Sequence, residues 1–79
     1  MLKCTITSKE GTKDYKNLKS VLLPGLVGQI QILPGHAETF VLLKSGHVVL
    51  LNAESGLEEK IQISDGECTV RKDNITIIL

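Results

Sequence analysis

Polar and apolar residues alternate along much of this chain with a period of two. Leu2, Cys4 and Ile6 are separated by polar residues, and residues 29–32 read Gln-Ile-Gln-Ile. Successive side chains of a β-strand point to opposite faces, so this alternation predicts strands with one buried face. No segment of useful length repeats apolar residues at i, i+3, i+4 and i+7. The pattern therefore predicts essentially no helix.

Turn-forming residues divide the chain into short segments, spaced about 8 to 12 residues apart as in a β-sandwich or barrel. Gly56 is expected to supply a positive φ in one hairpin, and Asp65-Gly66 is a strong two-residue hairpin signal. We predict an all-β fold, a small sandwich or flattened barrel of about eight to ten short, mostly antiparallel strands. Residues 1–79 are expected to form a single domain. The expected turns are 9–12, Pro24-Gly25, Pro34–Ala37, Ser45-Gly46, Asn52–Gly56, Asp65-Gly66 and 72–74.

Two kinds of strand are expected between these turns. Residues 13–16 are mostly polar and predict a short strand or an edge strand. Residues 18–23 predict a separate apolar strand that ends at the following Pro-Gly pair. The runs 40–43 and 48–51 are apolar without interruption, which predicts strands that are covered on both faces.

The composition narrows the functional classes. Of the 79 residues 42% are hydrophobic but only 3% are aromatic, so Val, Ile and Leu must form the core. Nine basic residues balance nine acidic ones, which argues against nucleic acid as a partner because phosphate recognition needs a concentrated positive field. No apolar stretch approaches the roughly 20 residues of a transmembrane helix. The N-terminus also lacks an apolar signal sequence, so export is not expected.

The residues with reactive side chains form no recognisable catalytic or metal-binding pattern. Cys4 and Cys68 are the only cysteines, and we expect reduced, buried thiols rather than a disulfide. Neither cysteine lies near a histidine at ligand spacing. His36 is open to two interpretations, a backbone hydrogen bond within its loop or a contact with a partner. We expect no catalytic residue, no metal site and no cofactor.

The central and final segments resemble a known family, the N-terminal β-sandwich domain of the epsilon subunit of F-type ATP synthases. That family carries a stretch similar to V-PG--GE-GILPGHAPL---L--G and closes the domain with a glycine turn followed by V and NVTIL. The resemblance covers nearly the whole chain, and the Pro-Gly-His-Ala corner is a fairly specific part of it. The matching residues are Val21, Pro24, Gly25, Gly28, Ile32, Leu33, Pro34, Gly35, His36, Ala37, Leu43, Gly46, Gly66, Val70, Asn74, Ile75, Thr76 and Ile77.

Several positions depart from the family pattern. Gln29 stands where an acidic residue is usual, Gln31 where a glycine is usual, and Glu38-Thr39 where Pro-Leu is usual. The chain also ends where the family continues into a C-terminal helical hairpin, the element associated with inhibition of ATP hydrolysis. The resemblance therefore implies a chain that takes part in coupling without inhibiting through that element.

The resemblance implies a mechanical role rather than a catalytic one. The epsilon subunit belongs to the central rotor of a proton- or sodium-translocating ATP synthase, where it links the gamma subunit to the c-ring. Such a protein is peripheral to the membrane and lies at the cytoplasmic face of the cell inner membrane, held there only through the complex.

The resemblance also implies contact residues, position by position. Gln29 takes the place of the acidic residue that faces the c-ring, with Val27, Gly28 and Ile30 beside it. Three further residues take places that lie toward gamma, namely Ser8, His36 and Val41.

Two other functions remain open from the residues alone. A stand-alone β-sandwich that binds a small ligand or a carbohydrate would need exposed aromatic residues, and the chain offers only Tyr15 and Phe40. An oligonucleotide-binding barrel would need stacking residues and positive charge, and the chain has little of either.

Overall fold

The computed structural model describes all 79 residues and contains eight β-strands and no helix. This confirms the predicted all-β class. The strands are β1 (Leu2–Ser8), β2 (Gly11–Gly25), β3 (Gly28–Ile32), β4 (Thr39–Leu43), β5 (Gly46–Asn52), β6 (Glu58–Ile63), β7 (Gly66–Arg71) and β8 (Asn74–Ile78).

The strands form a sandwich whose two layers share β2. The first half of β2 pairs with β1, and the layer continues in the order β1-β8-β7-β4. The second half of β2 pairs with β3 and with β5, and β6 pairs with β5. All pairings are antiparallel except β1 with β8, which is parallel. The predicted, mostly antiparallel sandwich is confirmed.

The long strand β2 differs from the sequence prediction of two separate strands. Asn17 has a φ of 56°, and the pairing register shifts between Leu18 and Ser20, so the chain bends without leaving the ladder. The strand also continues through Pro24, opposite Gln29 of β3. The Pro24 carbonyl accepts a hydrogen bond of 2.9 Å from the Lys44 N–H on its other side. Proline is tolerated here because this position needs no donor.

The core consists of apolar side chains from all eight strands, at the alternating positions that the sequence indicates. Cys4 and Cys68 are both free and fully buried in it, which confirms the expectation of reduced thiols. Burial raises the pKa of each thiol to about 12. The buried hydrophobic residues are Leu2, Cys4, Ile6, Leu18, Val21, Leu23, Ile32, Val41, Leu43, Val48, Leu50, Ile63, Cys68, Val70, Ile75 and Ile77.

The prediction of cover on both faces is wrong for 40–43 and is met only in part for 48–51. Phe40 and Leu42 are 57% and 51% exposed, and Val49 and Leu51 are only half-buried. Each layer of a two-layer sandwich has its second layer on one side only, so the outward face of β4 has nothing of this chain above it. Phe40 and Leu42 therefore form an exposed apolar surface on the outward side of β4.

The expected hairpin at Asp65-Gly66 does not form. β6 pairs only with β5, whereas β7 pairs with β4 and β8, so this connection crosses from one layer to the other. A Cβ added at Gly66 would lie 2.6 Å from the Ile78 carbonyl oxygen. The glycine therefore allows close packing against β8, not a turn. The expected positive φ at Gly56 is confirmed at 73°.

Replacing Gly66 by alanine is expected to destabilise the domain, because the new methyl group meets backbone that cannot move aside alone. Overpacking of this kind costs about 1–3 kcal/mol, measured as the free energy of unfolding in urea. Thr69→Ala in the same strand is the control, since Thr69 is exposed, and it should change the stability by much less. Equal stability of Gly66→Ala and the wild type would contradict the close approach.

Candidate partner-binding surfaces

The connection between β2 and β3 is a tight turn that presents apolar side chains to solvent. Val27 is 97% exposed, and Leu26 is also exposed. The Leu26 N–H donates a hydrogen bond of 2.8 Å to the Leu42 carbonyl oxygen, which fixes the turn to the end of β4. Gly28 has a φ of 145°, a conformation that side chains disfavour. The turn is therefore held in one position with its apolar tip outward.

The residues that sequence resemblance assigns to the c-ring lie consecutively at this turn. Val27 and Gln29 direct their side chains to solvent, whereas Ile30 is half-buried and packs against the core. Gly28 offers only backbone. The side chains available to a partner at this site are thus those of Val27 and Gln29, together with the neighbouring Leu26.

A second surface is the outward face of β4, β7 and β8, here called the β4 face. Two cross-strand rows form it. In one row Phe40 and Thr69 are neighbours, and in the other Leu42 lies beside Glu67. Exposed apolar residues that lie close together, with few charges among them, are typical of a protein interface. The β4 face consists of the exposed residues Phe40, Leu42, Glu67, Thr69, Thr76 and Ile78.

Val41, which the resemblance places toward gamma, does not present its side chain on this surface. It is only 7% exposed and belongs to the core. Side chains alternate along a strand, so the outward positions of β4 are those of Phe40 and Leu42. On β4 only Phe40 and Leu42 offer their side chains to a partner.

The Pro-Gly-His-Ala corner is fixed from two sides. The His36 N–H donates a hydrogen bond of 3.1 Å to the Leu33 carbonyl oxygen, and the Gly35 N–H donates one of 2.8 Å to Oδ1 of Asp73. The ring Nδ1 of His36 lies 2.8 Å from the Ala37 carbonyl oxygen. The first of the two interpretations, a backbone hydrogen bond within the loop, is therefore confirmed. His36 is half-buried, so part of the ring stays accessible.

Ser8 lies far from this corner. Its Oγ accepts a hydrogen bond of 3.3 Å from the Glu10 N–H in the β1–β2 turn. The corner is tied to Asp73, whose carbonyl oxygen accepts from the Lys3 N–H at the other end of β1. Five residues of strand separate Lys3 from Ser8, or roughly 16 Å. The structure therefore does not bring Ser8 and His36 together.

An open groove runs between the first half of β2 and the edge strand β6. Its volume is about 530 Å³, and its walls include Tyr15, Glu59, Lys60 and Ile61. Burial, and next the negative charge of Glu59, raise the pKa of Tyr15. No three His, Cys, Asp or Glu side chains come together at distances that would hold a metal ion.

The chain matches the family model for the β-sandwich domain of the ATP synthase delta/epsilon chain over residues 1–79. This chain belongs to that family. Among curated relatives it is similar to the ATP synthase epsilon chain of Campylobacter hominis, with 36% identity over 92% of this chain, and to that of Helicobacter pylori strain HPAG1, with 35% identity over 99%. The chain spans 56% and 62% of the length of these two relatives.

Solved structures support the same fold. The domain superimposes on a chain of the Tetrahymena thermophila mitochondrial ATP synthase central stalk and c-ring with a TM-score of 0.81. The two chains are 8% identical, and the superposition covers 98% of this chain and 61% of the other. A chain of the Euglena gracilis mitochondrial enzyme gives the same TM-score at 20% identity, covering 95% and 48%. These two structures show the fold, and the family match with the curated relatives confirms the resemblance to the epsilon family seen in the sequence. No helix of this chain is long and apolar enough to cross a membrane.

Proposed function

We propose that this domain is a non-catalytic part of the central stalk of a proton- or sodium-translocating ATP synthase, where it links gamma to the c-ring at the cytoplasmic face of the membrane. The observation that carries the proposal is the family match over the whole chain. Two exposed apolar surfaces, fixed to the same strand β4, give such a protein a contact for each neighbour.

The c-ring contact is proposed at the β2–β3 turn. Leu26 and Val27 project from a turn that Gly28 permits and that a backbone hydrogen bond to Leu42 holds in place. A preformed turn loses little conformational freedom on binding, so more of its contact energy is retained as affinity. Gln29 contributes an amide that can donate and accept hydrogen bonds, in place of a charge.

The gamma contact is proposed at the β4 face. Phe40 is the only phenylalanine of the chain, and it lies on the outside. Aromatic side chains that become buried at the centre of an interface carry a large share of the binding energy. Ser8 and His36 remain candidates for contacts at the periphery, on opposite sides of this face.

The ring contact is tested with Val27→Asp in an ATP synthase reconstituted with this subunit. A carboxylate in place of an apolar tip should weaken the ring contact by about tenfold or more, so ATP-driven ion pumping should fall relative to ATP hydrolysis. The fold should be unaffected, because Val27 contacts almost nothing in the domain.

The matched control is Leu57→Asp, which places the same charge at an exposed leucine in the β5–β6 turn. It should leave the ratio of pumping to hydrolysis unchanged. Equal ratios for both variants and the wild type would refute the ring contact. Failure of the wild-type subunit to co-purify with the rotor from native membranes would refute the proposed function itself.

A further inference from the structure

One side of the sandwich is open between two strands that do not pair with each other. The groove of about 530 Å³ lies there, with residues 11–13 and Tyr15 of β2 on one wall and residues 59–62 of β6 on the other. A second cavity, of about 490 Å³, shares Tyr15 and Glu59 with the groove and continues toward Asn52. β6 pairs with β5 alone, and residues 11–15 of β2 pair with β1 alone. Each wall of the groove is therefore a free strand edge.

The free edge of β6 presents its backbone groups at every second residue. The Asn52 N–H donates a hydrogen bond of 3.0 Å to the Leu57 carbonyl oxygen, so this pair of the β5–β6 hairpin is hydrogen-bonded. Bonded and non-bonded pairs alternate along an antiparallel ladder. The N–H and C=O groups of Glu58, Lys60 and Gln62 therefore point away from β5, on the side of the groove. None of the backbone hydrogen bonds outside the ladders involves these three residues.

The β2 wall is arranged in the same way. Ser8 and Gly11 close a two-residue hairpin, and a closing pair of this kind is hydrogen-bonded. By the same alternation, Thr12 and Asp14 direct their N–H and C=O groups away from β1. An extended segment in the groove would find donors and acceptors on both walls. A helix could use neither row, because its own backbone groups are already bonded to each other.

The side chains of β6 determine what such a segment must carry. Glu58 and Lys60 are exposed on the outer face of β6, whereas Ile61 is half-buried and packs against the core. The single ion pair of the domain joins Arg71 to Glu38, so the charges on β6 are unpaired. Opposite charges in facing positions stabilise a strand pair, and like charges destabilise it. The charges of this edge therefore exclude most strands and admit one whose charges are complementary.

We propose that the groove receives an extended segment of another polypeptide, which adds to the free edge of β6 as an antiparallel strand. The segment carries a basic residue opposite Glu58, an acidic residue opposite Lys60 and an apolar residue opposite Ile61. This apolar residue faces the inside of the groove, where Tyr15 lines the other wall. The groove shares no residue with the β2–β3 turn or with the β4 face, so this proposal does not depend on the proposed function.

The first test titrates the isotope-labelled chain with the end-blocked peptide Thr-Val-Glu-Thr-Lys and follows the backbone amides by two-dimensional NMR. In the antiparallel register this peptide places its valine opposite Ile61, its glutamate opposite Lys60 and its lysine opposite Glu58. The amide protons of Glu58, Lys60 and Gln62 should shift saturably to lower field at millimolar peptide, because each gains an acceptor. Those of Glu59 and Ile61 should shift less, since they are already bonded to β5.

Two control peptides distinguish strand addition from adsorption through charge. The peptide Thr-Val-Lys-Thr-Glu has the same composition but places like charges opposite Glu58 and Lys60, and it should bind about tenfold more weakly. The first peptide with a methyl group on the backbone nitrogen of its glutamate cannot donate to the Lys60 carbonyl oxygen. It should give no saturable shift at β6.

A protein with the two charges exchanged provides the matched comparison. Glu58→Lys/Lys60→Glu should prefer the second peptide by the same factor, and both residues are exposed, so the exchange should preserve the fold. Lys44→Glu/Asp65→Lys makes a similar exchange at exposed residues outside the groove. This control should keep the wild-type preference for the first peptide.

Three results would overturn the proposal. The first peptide could give no saturable shift at millimolar concentration. The largest shifts could fall on Gln29 and Gln31 of β3 instead of on β6, which would place strand addition at the other free edge. The charge-exchanged protein could keep the wild-type preference between the two peptides, which would mean that the charges of β6 do not select the segment.

Discussion

Raising the pH from 8 to 10.5 is expected to lower the free energy of unfolding by about 4 kcal/mol through the two buried thiols. In the unfolded chain a cysteine has its ordinary pKa of 9.0, whereas burial raises the pKa of Cys4 and of Cys68 to about 12. Between these values the unfolded state binds fewer protons than the folded state. Stability is therefore fully present below pH 9 and is lost as the pH rises toward 12.

Urea unfolding of the wild type at pH 8, 9, 10 and 10.5 measures this loss. The matched variant is Cys4→Ala/Cys68→Ala, which lowers the stability at every pH by leaving small cavities but removes both titrations. Every other ionisable group is present in both proteins, so the difference between the two pH profiles reports the thiols together with the contribution of Cys4 to the raised pKa of Tyr15. If the variant loses as much stability as the wild type between pH 8 and 10.5, the thiols are not the cause of this pH-dependent loss.

Replacing both apolar residues of β4 that face outward is expected to lower the affinity for gamma by about 100-fold, if the β4 face is the gamma contact. Phe40→Ser/Leu42→Ser removes exposed side chains, so the free energy of unfolding should change by less than about 1 kcal/mol. Calorimetric titration of purified gamma with the wild type and the variant measures the change.

Val41→Ala on the same strand distinguishes the β4 face from the contact residue that the family resemblance implies. Val41 is buried, so the truncation should cost about 1–3 kcal/mol of stability while the affinity of the folded fraction for gamma stays the same. A loss of affinity with Val41→Ala, together with unchanged binding by the double serine variant, would assign the contact to Val41 instead.

Local sequence patterns were sufficient where a structural feature depends on neighbouring residues alone. The alternation at Leu2, Cys4 and Ile6 gives the buried face of β1, because the period of a strand does not depend on its partners. The residues proposed for the ring contact, from Val27 to Ile30, lie close together because they are consecutive. The positive φ at Gly56 is likewise a local property of its turn.

Features that depend on strand pairing were missed for a physical reason. An apolar run such as 40–43 looks the same whether its second face is covered by this chain or left open, so the exposure of Phe40 could not be read from the run. Asp65-Gly66 carries a hairpin signal, yet the sequence does not specify which strands become neighbours. Pro24 stays inside a strand because its position needs no N–H donor, which only the register determines.

The membership of β2 in both layers has a mechanical consequence. Its fifteen residues run without a break from the β1 side of the sandwich to the β2–β3 turn. A torque applied at one layer reaches the other through covalent geometry, which deforms much less than side-chain contacts do. Shear between the layers must therefore bend or stretch β2, and the domain should follow an imposed rotation with little lag between its two ends.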